Sequence, residues 1–442
     1  MKTYKNVFIG FGKGGKTLAK TLAKHGEEVL MIEESDQMYG GTCINIGCIP
    51  SKSLIVNGEH NIPFPEAVAK RGDLTGRLRN KNFHMIADEE TAEVWNGKAR
   101  FTADHELSVT MADGEVREIK GERIFINTGS TPNIPAINGI SDSKYVVTSK
   151  EIMELPELPK RLTIIGAGYI GLEFASMFAS YGSQVTVIDN HETFIPREDP
   201  DIAKMVYQDL TEKGIRFELG ANLLEVKDTE NGVQVRYEKD GEKTIDGDIL
   251  LAATGRRPNT EGLGLENTNI TVAANGAVSV DDYLRTTAEN VWAIGDVKGG
   301  LQFTYISLDD YRIIEDQLFG NGERKVSDRK NVPYTVFLTP PLSNVGLTEA
   351  QVKAQGYDYK VFQMMSAGVP KAQVLEDPKG MFKIIVDQKT QQILGASIYA
   401  EESHEVINMI TLAMNAKLPY TMLRDQIYSH PTMTEALNDV LK

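Results

Sequence analysis

Short apolar runs that end in glycine recur along the chain, and several are followed by a segment with helical periodicity. "NVFIG" (6–10) is the first; a helix pattern follows it, and a second apolar run ends at Glu33. Residues 161–190 repeat that layout, from "RLTIIG" through a helix pattern to "QVTVIDN". "RIFINTG" (123–129), "GDILLAATG" (247–255) and "NVWAIGD" (290–296) end in the same way, and a helical pattern at 304–319 follows the last. Strands that alternate with helices predict an α/β fold with parallel sheets. From about residue 330 the glycine turns stop. "GMFKIIVD" (380–387) and "ILGASIYA" (393–400) read as strands ahead of a helical "SHEVINMITLAMNAK" (403–417), which predicts an α+β domain. No run reaches about 18 apolar residues, so no membrane-spanning helix is expected.

The two strand–helix–strand units carry a specific turn. In the first, Gly10, Gly12 and Gly15 are spaced G-x-G-x-x-G, and in the second Gly166, Gly168 and Gly171 are. Glycine allows the tight bend and the close approach of backbone to a pyrophosphate, and the helix N-terminus stabilises the anion. Glu33 and Asp189 each lie 23 residues past the first glycine of their turn, where a carboxylate can accept from a ribose hydroxyl. Alone, one such turn could serve packing only. Two complete units, 156 residues apart, imply two bound dinucleotides, one a tightly held flavin (FAD) and the other an exchangeable nicotinamide nucleotide. Asp189 favours NADH, since a carboxylate there repels a 2′-phosphate; NADPH remains the alternative, with Arg197 as the nearest arginine. Asp296, at a strand end, is placed to hold a sugar-like hydroxyl chain.

Composition narrows the function. Against 47 basic side chains stand 62 acidic ones, a formal charge of −15, which argues against a nucleic-acid partner. The first residues run directly into a strand and a glycine turn, without the pattern of a signal peptide, so a cytoplasmic protein is expected. In a reducing compartment a persistent structural disulfide is disfavoured. The only cysteines, Cys43 and Cys48, sit together in "GGTCINIGCIPSK" (40–52). On a regular helix their Cα atoms would be about 8.6 Å apart, beyond the ~7 Å a disulfide tolerates. A bond between them would need a distorted turn, which Gly47 and Pro50 permit, and a strained bridge is easily reduced. Two inert thiols and a metal site are the competing readings. Zinc usually takes four ligands, and the seven histidines are scattered with no second cysteine pair, so no metal is expected. The setting beside a dinucleotide turn favours a redox pair.

With both turns, both T-G segments, the Gly295-Asp296 strand end and the C-terminal "SHPTMTEAL" in one order, the chain resembles the flavin-dependent pyridine nucleotide–disulfide oxidoreductases. Glutathione reductase, lipoamide dehydrogenase and mercuric reductase belong to that family. The resemblance implies that Cys43 is the interchange thiol and Cys48 the charge-transfer thiolate against the flavin. It implies that Lys52 lies near the reactive flavin nitrogen, paired with Glu173, and that Tyr169 covers the flavin face until the nicotinamide enters. His430, oriented by Glu435 and donated by the other subunit of a homodimer, would be the acid–base catalyst. A His near its ordinary pKa can move protons at pH 7, and a carboxylate fixes its tautomer. Gly41, Thr42, Thr128, Gly129 and Gly295 join the flavin site by the same resemblance, and Gly255 the nicotinamide site.

The expected architecture is an FAD domain at 1–149 plus 263–329, an NAD(P)H domain at 150–262 entered through "LPELPKR" (155–161), and a dimerisation domain at 330–442. The expected reaction passes a hydride from NADH to flavin, then electrons to the cysteine pair, then to an oxidised small molecule. No third cysteine is present, as mercuric and large thioredoxin reductases would require. "FIGFGKGGKTLAKTLAKHG", "MYGGTCINIGCIPSK" and "RDQIYSHPTMTEALNDV" are most similar to bacterial reactive-chlorine-resistance flavoproteins and hypothiocyanous acid reductases. A dihydrolipoamide dehydrogenase, a copper(II) reductase and a redox-sensing binding protein are the alternatives.

Overall fold

The strand Lys2–Ile9 carries apolar side chains on both faces, and both faces are covered. Tyr4, Val7 and Ile9 pack into one core with Leu30, Ile32, Ile124 and Ile126. Phe8 packs into another with Val29, Met31, Phe125 and Trp292. Successive side chains of a strand point to opposite faces, so a strand covered on both sides reads as a continuous apolar run. Lys2–Ile9 pairs in parallel with Val29–Glu33 and with the end of Val116–Ile126, and Val291–Ala293 pairs in parallel beyond that. Ala92–Ala103, Glu106–Met111 and Val116–Ile126 form an antiparallel meander that completes a six-stranded sheet. The helix Lys13–Lys24 buries Leu18, Ala19, Leu22 and Ala23 and ends before Gly26, whose φ of +75° breaks the helical path.

These elements belong to the first of two compact units in the computed structural model, which describes residues 1–442. That unit comprises Met1–Asn133, Thr148–Glu157 and Gly255–Asp328. It also holds the helices Phe64–Ala87 and Thr304–Phe319 and a two-stranded ribbon, in which Ser130–Pro132 pairs antiparallel with Arg256–Pro258.

The second unit comprises Ile134–Val147, Leu158–Thr254 and Arg329–Lys442. Arg161–Ile165 lies inside a five-stranded parallel sheet, flanked by Gln184–Asp189 and Ile249–Ala252. A three-stranded antiparallel sheet, Asn222–Thr229, Gly232–Glu238 and Glu242–Gly247, adjoins it in sequence. The C-terminal part is α+β, as its pattern predicts. Met381–Asp387 and Ile393–Tyr399 pair antiparallel within a five-stranded sheet, and the helix Ser403–Asn415 buries Val406, Ile407 and Ile410 in the same core. Lys383, almost fully buried on the first of those strands, meets Asp199 at 3.2 Å, Asp201 at 2.9 Å and Glu349 at 2.8 Å. Asp199 is buried with it, so removing Asp199 would leave the Lys383 ammonium short of its buried partner, and the pair ties these segments together. No helix is long and apolar enough to cross a membrane.

Candidate active site

The first glycine turn is held from a distance in sequence. Gly10 has φ of +95°, and a Cβ there would lie 2.5 Å from the Asn127 carbonyl, so only glycine fits. Asn127 ends the neighbouring strand. Its Oδ1 accepts from the Gly15 amide at 3.0 Å, and its Nδ2 donates to the Ile294 carbonyl at 2.7 Å. Glu33 accepts from the amides of Phe11 at 2.9 Å and Ser35 at 3.2 Å, and burial pushes its carboxyl above the usual range. The helix behind the turn begins at N-cap Gly12 with no side-chain cap.

The cysteines lie on two helices separated by a break. Gly41 and Thr42 lead into the single turn Thr42–Asn45, which carries Cys43, and Cys48 opens the helix Cys48–Glu59. Gly47 stands between them with φ of −129°, outside the left-handed region. A Cβ there would also lie 2.9 Å from the Thr42 carbonyl, so the turn has a steric need for glycine as well. Pro50 falls in the first turn of its helix, where its missing N–H loses no intrahelical bond. Both cysteines are free thiols. Cys43 is pushed down to about 6, chiefly by the hydrogen bond from Cys48, with help from Thr304, Lys16 and Lys52. The same contact pushes Cys48 up. Two thiols so coupled share one thiolate charge and give up the second proton reluctantly.

Around the pair stand groups that the sequence does not announce. Thr304 Oγ1 lies 3.9 Å from Cys48 Sγ. Lys16, buried at 3% exposure, donates to Asn82 Oδ1 and is pushed down to about 8 by burial. Arg256 bonds Ser130 Oγ at 2.9 Å and the Ser130 carbonyl at 2.5 Å; burial disfavours its charge, and Asp296 and Cys48 favour it. Ser130 in turn donates to Asp296 Oδ2 at 2.8 Å, and the Gly295 amide donates to buried Asp310 at 2.7 Å. Thr128 donates to the Asn259 carbonyl at 2.7 Å, next to Gly129 with φ of +73°. Lys52 lies four residues past Cys48, one turn along the same helix.

In the second unit the turn is rebuilt on other residues. Gly166 has φ of +102° and would place a Cβ 2.6 Å from the Ala253 carbonyl. A Cβ on Gly171 would lie 2.1 Å from the Gly166 carbonyl, whereas Gly168 has open space over it. Asp189 accepts from the Ala167 amide at 2.5 Å, and its other oxygen meets the amide of His191 at 2.8 Å and the ring Nδ1 at 2.7 Å. Tyr169 opens the helix Tyr169–Ser180 and donates to Glu198 at 2.6 Å. Glu173, on the same helix, accepts from the Phe337 amide at 2.8 Å. His430 Nδ1 lies 2.9 Å from Glu435 Oε2, and the imidazole is 69% exposed. Gly255, back in the first unit, has φ of +93° and open space.

Residues 4–310 match the pyridine nucleotide-disulphide oxidoreductase family, and residues 332–441 match the dimerisation domain of that family. The chain belongs to the pyridine nucleotide-disulphide oxidoreductases. A probable member from Escherichia coli K12, RclA, is 50% identical over 440 residues, which cover 100% of this chain and 99% of that protein. The mercuric reductase of Lysinibacillus sphaericus is 32% identical over 452 residues, 98% of this chain and 81% of that protein. A solved structure, the Cu(II) complex of the HOCl-induced flavoprotein disulfide reductase RclA from Escherichia coli, superposes with a TM-score of 0.97 at 50% identity, covering 100% and 99% of the two chains.

Membership in the pyridine nucleotide-disulphide oxidoreductases implies a flavin and a nicotinamide nucleotide, and the residues fit both. Two 12-residue helices start on glycine turns without a side-chain cap, which leaves amide donors for two pyrophosphates. Each turn has a carboxylate already fixed on its backbone, at Glu33 and Asp189. Sequence reading missed Asn127, Thr304 and Arg256, whose partners are far away in the chain. Lys16 did leave a signal, as a lysine on the face of a helix otherwise buried through Gly15, Leu18 and Ala19.

Proposed function

We propose that this chain uses NADH, through FAD and the Cys43–Cys48 pair, to reduce a small thiol-reactive oxidant of the hypothiocyanous acid class. The observation that carries the reading is the coupled thiol pair, in which Cys43 is pushed down to about 6 and so stands as a nucleophile at neutral pH. FAD, when bound, supplies two-electron transfer from the nicotinamide to the cysteines. Glu33 and the first turn hold its adenosine and pyrophosphate, Asp296 its hydroxyl chain, and Lys52 stands by its reactive nitrogen. Asp189 accepts from the NADH ribose, and Tyr169 covers the nicotinamide position until that ring enters. The FAD, NAD(P)H and dimerisation domains are taken as 1–149 with 263–329, 150–262 and 330–442.

In the chemical step, Cys43 thiolate attacks the sulfur of hypothiocyanous acid. A Cys43–SCN bond forms, the S–O bond breaks, and the oxygen leaves as water after taking a proton from His430 and its own hydrogen. His430, now neutral, takes the proton of the Cys48 thiol, and the Cys48 thiolate so formed attacks Cys43 sulfur and releases thiocyanate, leaving the disulfide and a His430 again protonated. The pair has lost two electrons, which one NADH restores. Glu435 holds His430 in one tautomer, and the working unit is a homodimer in which each subunit donates its His430 to the other.

Steady-state NADH consumption against hypothiocyanous acid, lipoamide, oxidised glutathione and copper(II) tests the reading. Rapid turnover of the first alone supports it; rapid turnover of lipoamide would replace it. Copper(II) reduction is a second reading, favoured by the Cu(II) complex formed by the 50%-identical RclA.

A further inference from the structure

The residue proposed to cover the nicotinamide position is tied down by a carboxylate that no sequence motif marks. Tyr169 and Tyr334 both donate to the same oxygen of Glu198, at 2.6 and 2.8 Å. Their rings stack with centroids 5.5 Å apart and planes inclined by 24°, and their hydroxyls are 3.4 Å apart. Glu198 is only 6% exposed, and its second oxygen, Oε2, is buried without a hydrogen-bond partner. Asn344, also buried at 6% exposure, lies within reach of Glu198 and favours its charged form. A buried carboxylate held at one oxygen depends strongly on each donor it has.

We infer that Glu198 is the latch of Tyr169: the Tyr169 ring can leave the nicotinamide position only by withdrawing its hydroxyl from Glu198, so this carboxylate, shared with Tyr334, sets how readily the ring swings out. The inference rests on the reading of Tyr169 as the cover. Glu198 is a positioning residue, since it acts through Tyr169. Burial pushes both phenols well above their ordinary range, so both remain donors at neutral pH, and burial likewise pushes the Glu198 carboxyl up. When Tyr169 swings out, Glu198 keeps Tyr334, with Asn344 beside it, which limits the cost of opening. That division gives the two partners opposite effects. Without the carboxylate the covered state loses its hold. Without the Tyr334 hydroxyl, Glu198 loses its other phenol donor, depends more on Tyr169, and the covered state is held harder.

The test is calorimetric binding of NAD⁺ and of ADP-ribose to the oxidised, flavin-loaded protein. ADP-ribose has no nicotinamide and does not need the ring to move. Glu198→Leu is expected to lower the Kd for NAD⁺ by about three- to tenfold, the scale of losing one net hydrogen bond from the covered state, and to leave ADP-ribose unchanged. Tyr334→Phe is expected to raise the Kd for NAD⁺, again without effect on ADP-ribose. Glu198→Gln, which keeps an acceptor for both phenols, is expected to stay near the parent. Tyr169→Ala should tighten NAD⁺ and abolish any further effect of Glu198→Leu. If Glu198→Leu fails to fold, the rise in Tyr334→Phe decides. The latch is overturned if Tyr169→Ala tightens NAD⁺ while neither Glu198→Leu nor Tyr334→Phe moves it, or if the variants move NAD⁺ and ADP-ribose together. Unchanged NAD⁺ binding in Tyr169→Ala would overturn the cover itself, and the latch with it.

Discussion

Replacing Cys48 by alanine tests the electrostatic reading of the thiol pair. The hydrogen bond from Cys48 is the largest cause of the low Cys43 pKa of about 6; Thr304, Lys16 and Lys52 add smaller contributions. Without that donor, burial raises Cys43 while Thr304 and the two lysines lower it, so it should return to about 8, close to an ordinary thiol at about 8.5. At pH 6.5 the thiolate fraction then falls from about three-quarters to about 3%, roughly 25-fold. The more basic thiolate is intrinsically about sixfold more nucleophilic for a two-unit rise, so the net loss of rate at that pH is only about fourfold. The midpoint of the pH–rate profile is therefore the better readout. Iodoacetamide alkylation of reduced protein, localised to Cys43 by mass spectrometry, should give a midpoint near 6 in the parent and near 8 in Cys48→Ala. The limiting rate at high pH should be about sixfold higher in the variant. Since the shift is downward, the parent loses reactivity as pH falls through about 6. A midpoint left at about 6 in Cys48→Ala would refute the assignment and transfer the effect to the lysines.

Other expectations follow from the same geometry. His430→Ala should accept hydride from NADH normally but react with the oxidant about 10²–10⁴-fold more slowly, seen by rapid-mixing absorbance. Mixed dimers of His430→Ala with Cys43→Ser should regain up to about half the activity per dimer if the sites are shared; no recovery after verified subunit exchange would contradict donation of His430. Asn127→Ala strands the Gly15 amide and the Ile294 carbonyl, and each buried group left unpaired should cost about 1–3 kcal/mol in urea unfolding. Asp189→Ser removes the carboxylate that repels a 2′-phosphate and should raise the relative kcat/KM for NADPH over NADH.

What the sequence made legible was local. Each dinucleotide turn is written within about 30 residues, so strand, glycines, helix and acid could be placed together, and the strands of the C-terminal α+β domain followed from its apolar runs. The two cysteines stood out because they are five positions apart and alone. What escaped was contact across the chain. Asn127 reaches Gly15 over 112 residues, and Tyr334 reaches Tyr169 over 165. Neither asparagine nor tyrosine signals such a partner, because hydrogen-bonding capacity does not specify where the partner lies. Gly47 shows a subtler limit. Sequence suggests that a glycine between two cysteines frees the backbone; it does not show that this glycine also makes room for the Thr42 carbonyl, which only a folded turn brings near.

The central claim is that Cys43 and Cys48 carry two electrons from NADH to the oxidant. The most direct measurement is an anaerobic titration of flavin-loaded protein with NADH, counting accessible thiols per chain under denaturing alkylation before and after one equivalent of hypothiocyanous acid. The account predicts that two thiols appear as NADH is consumed and that both vanish with one equivalent of oxidant, with thiocyanate released in equal amount. Oxidant consumed while both thiols persist, or equal consumption by a chain lacking both cysteines, would contradict it.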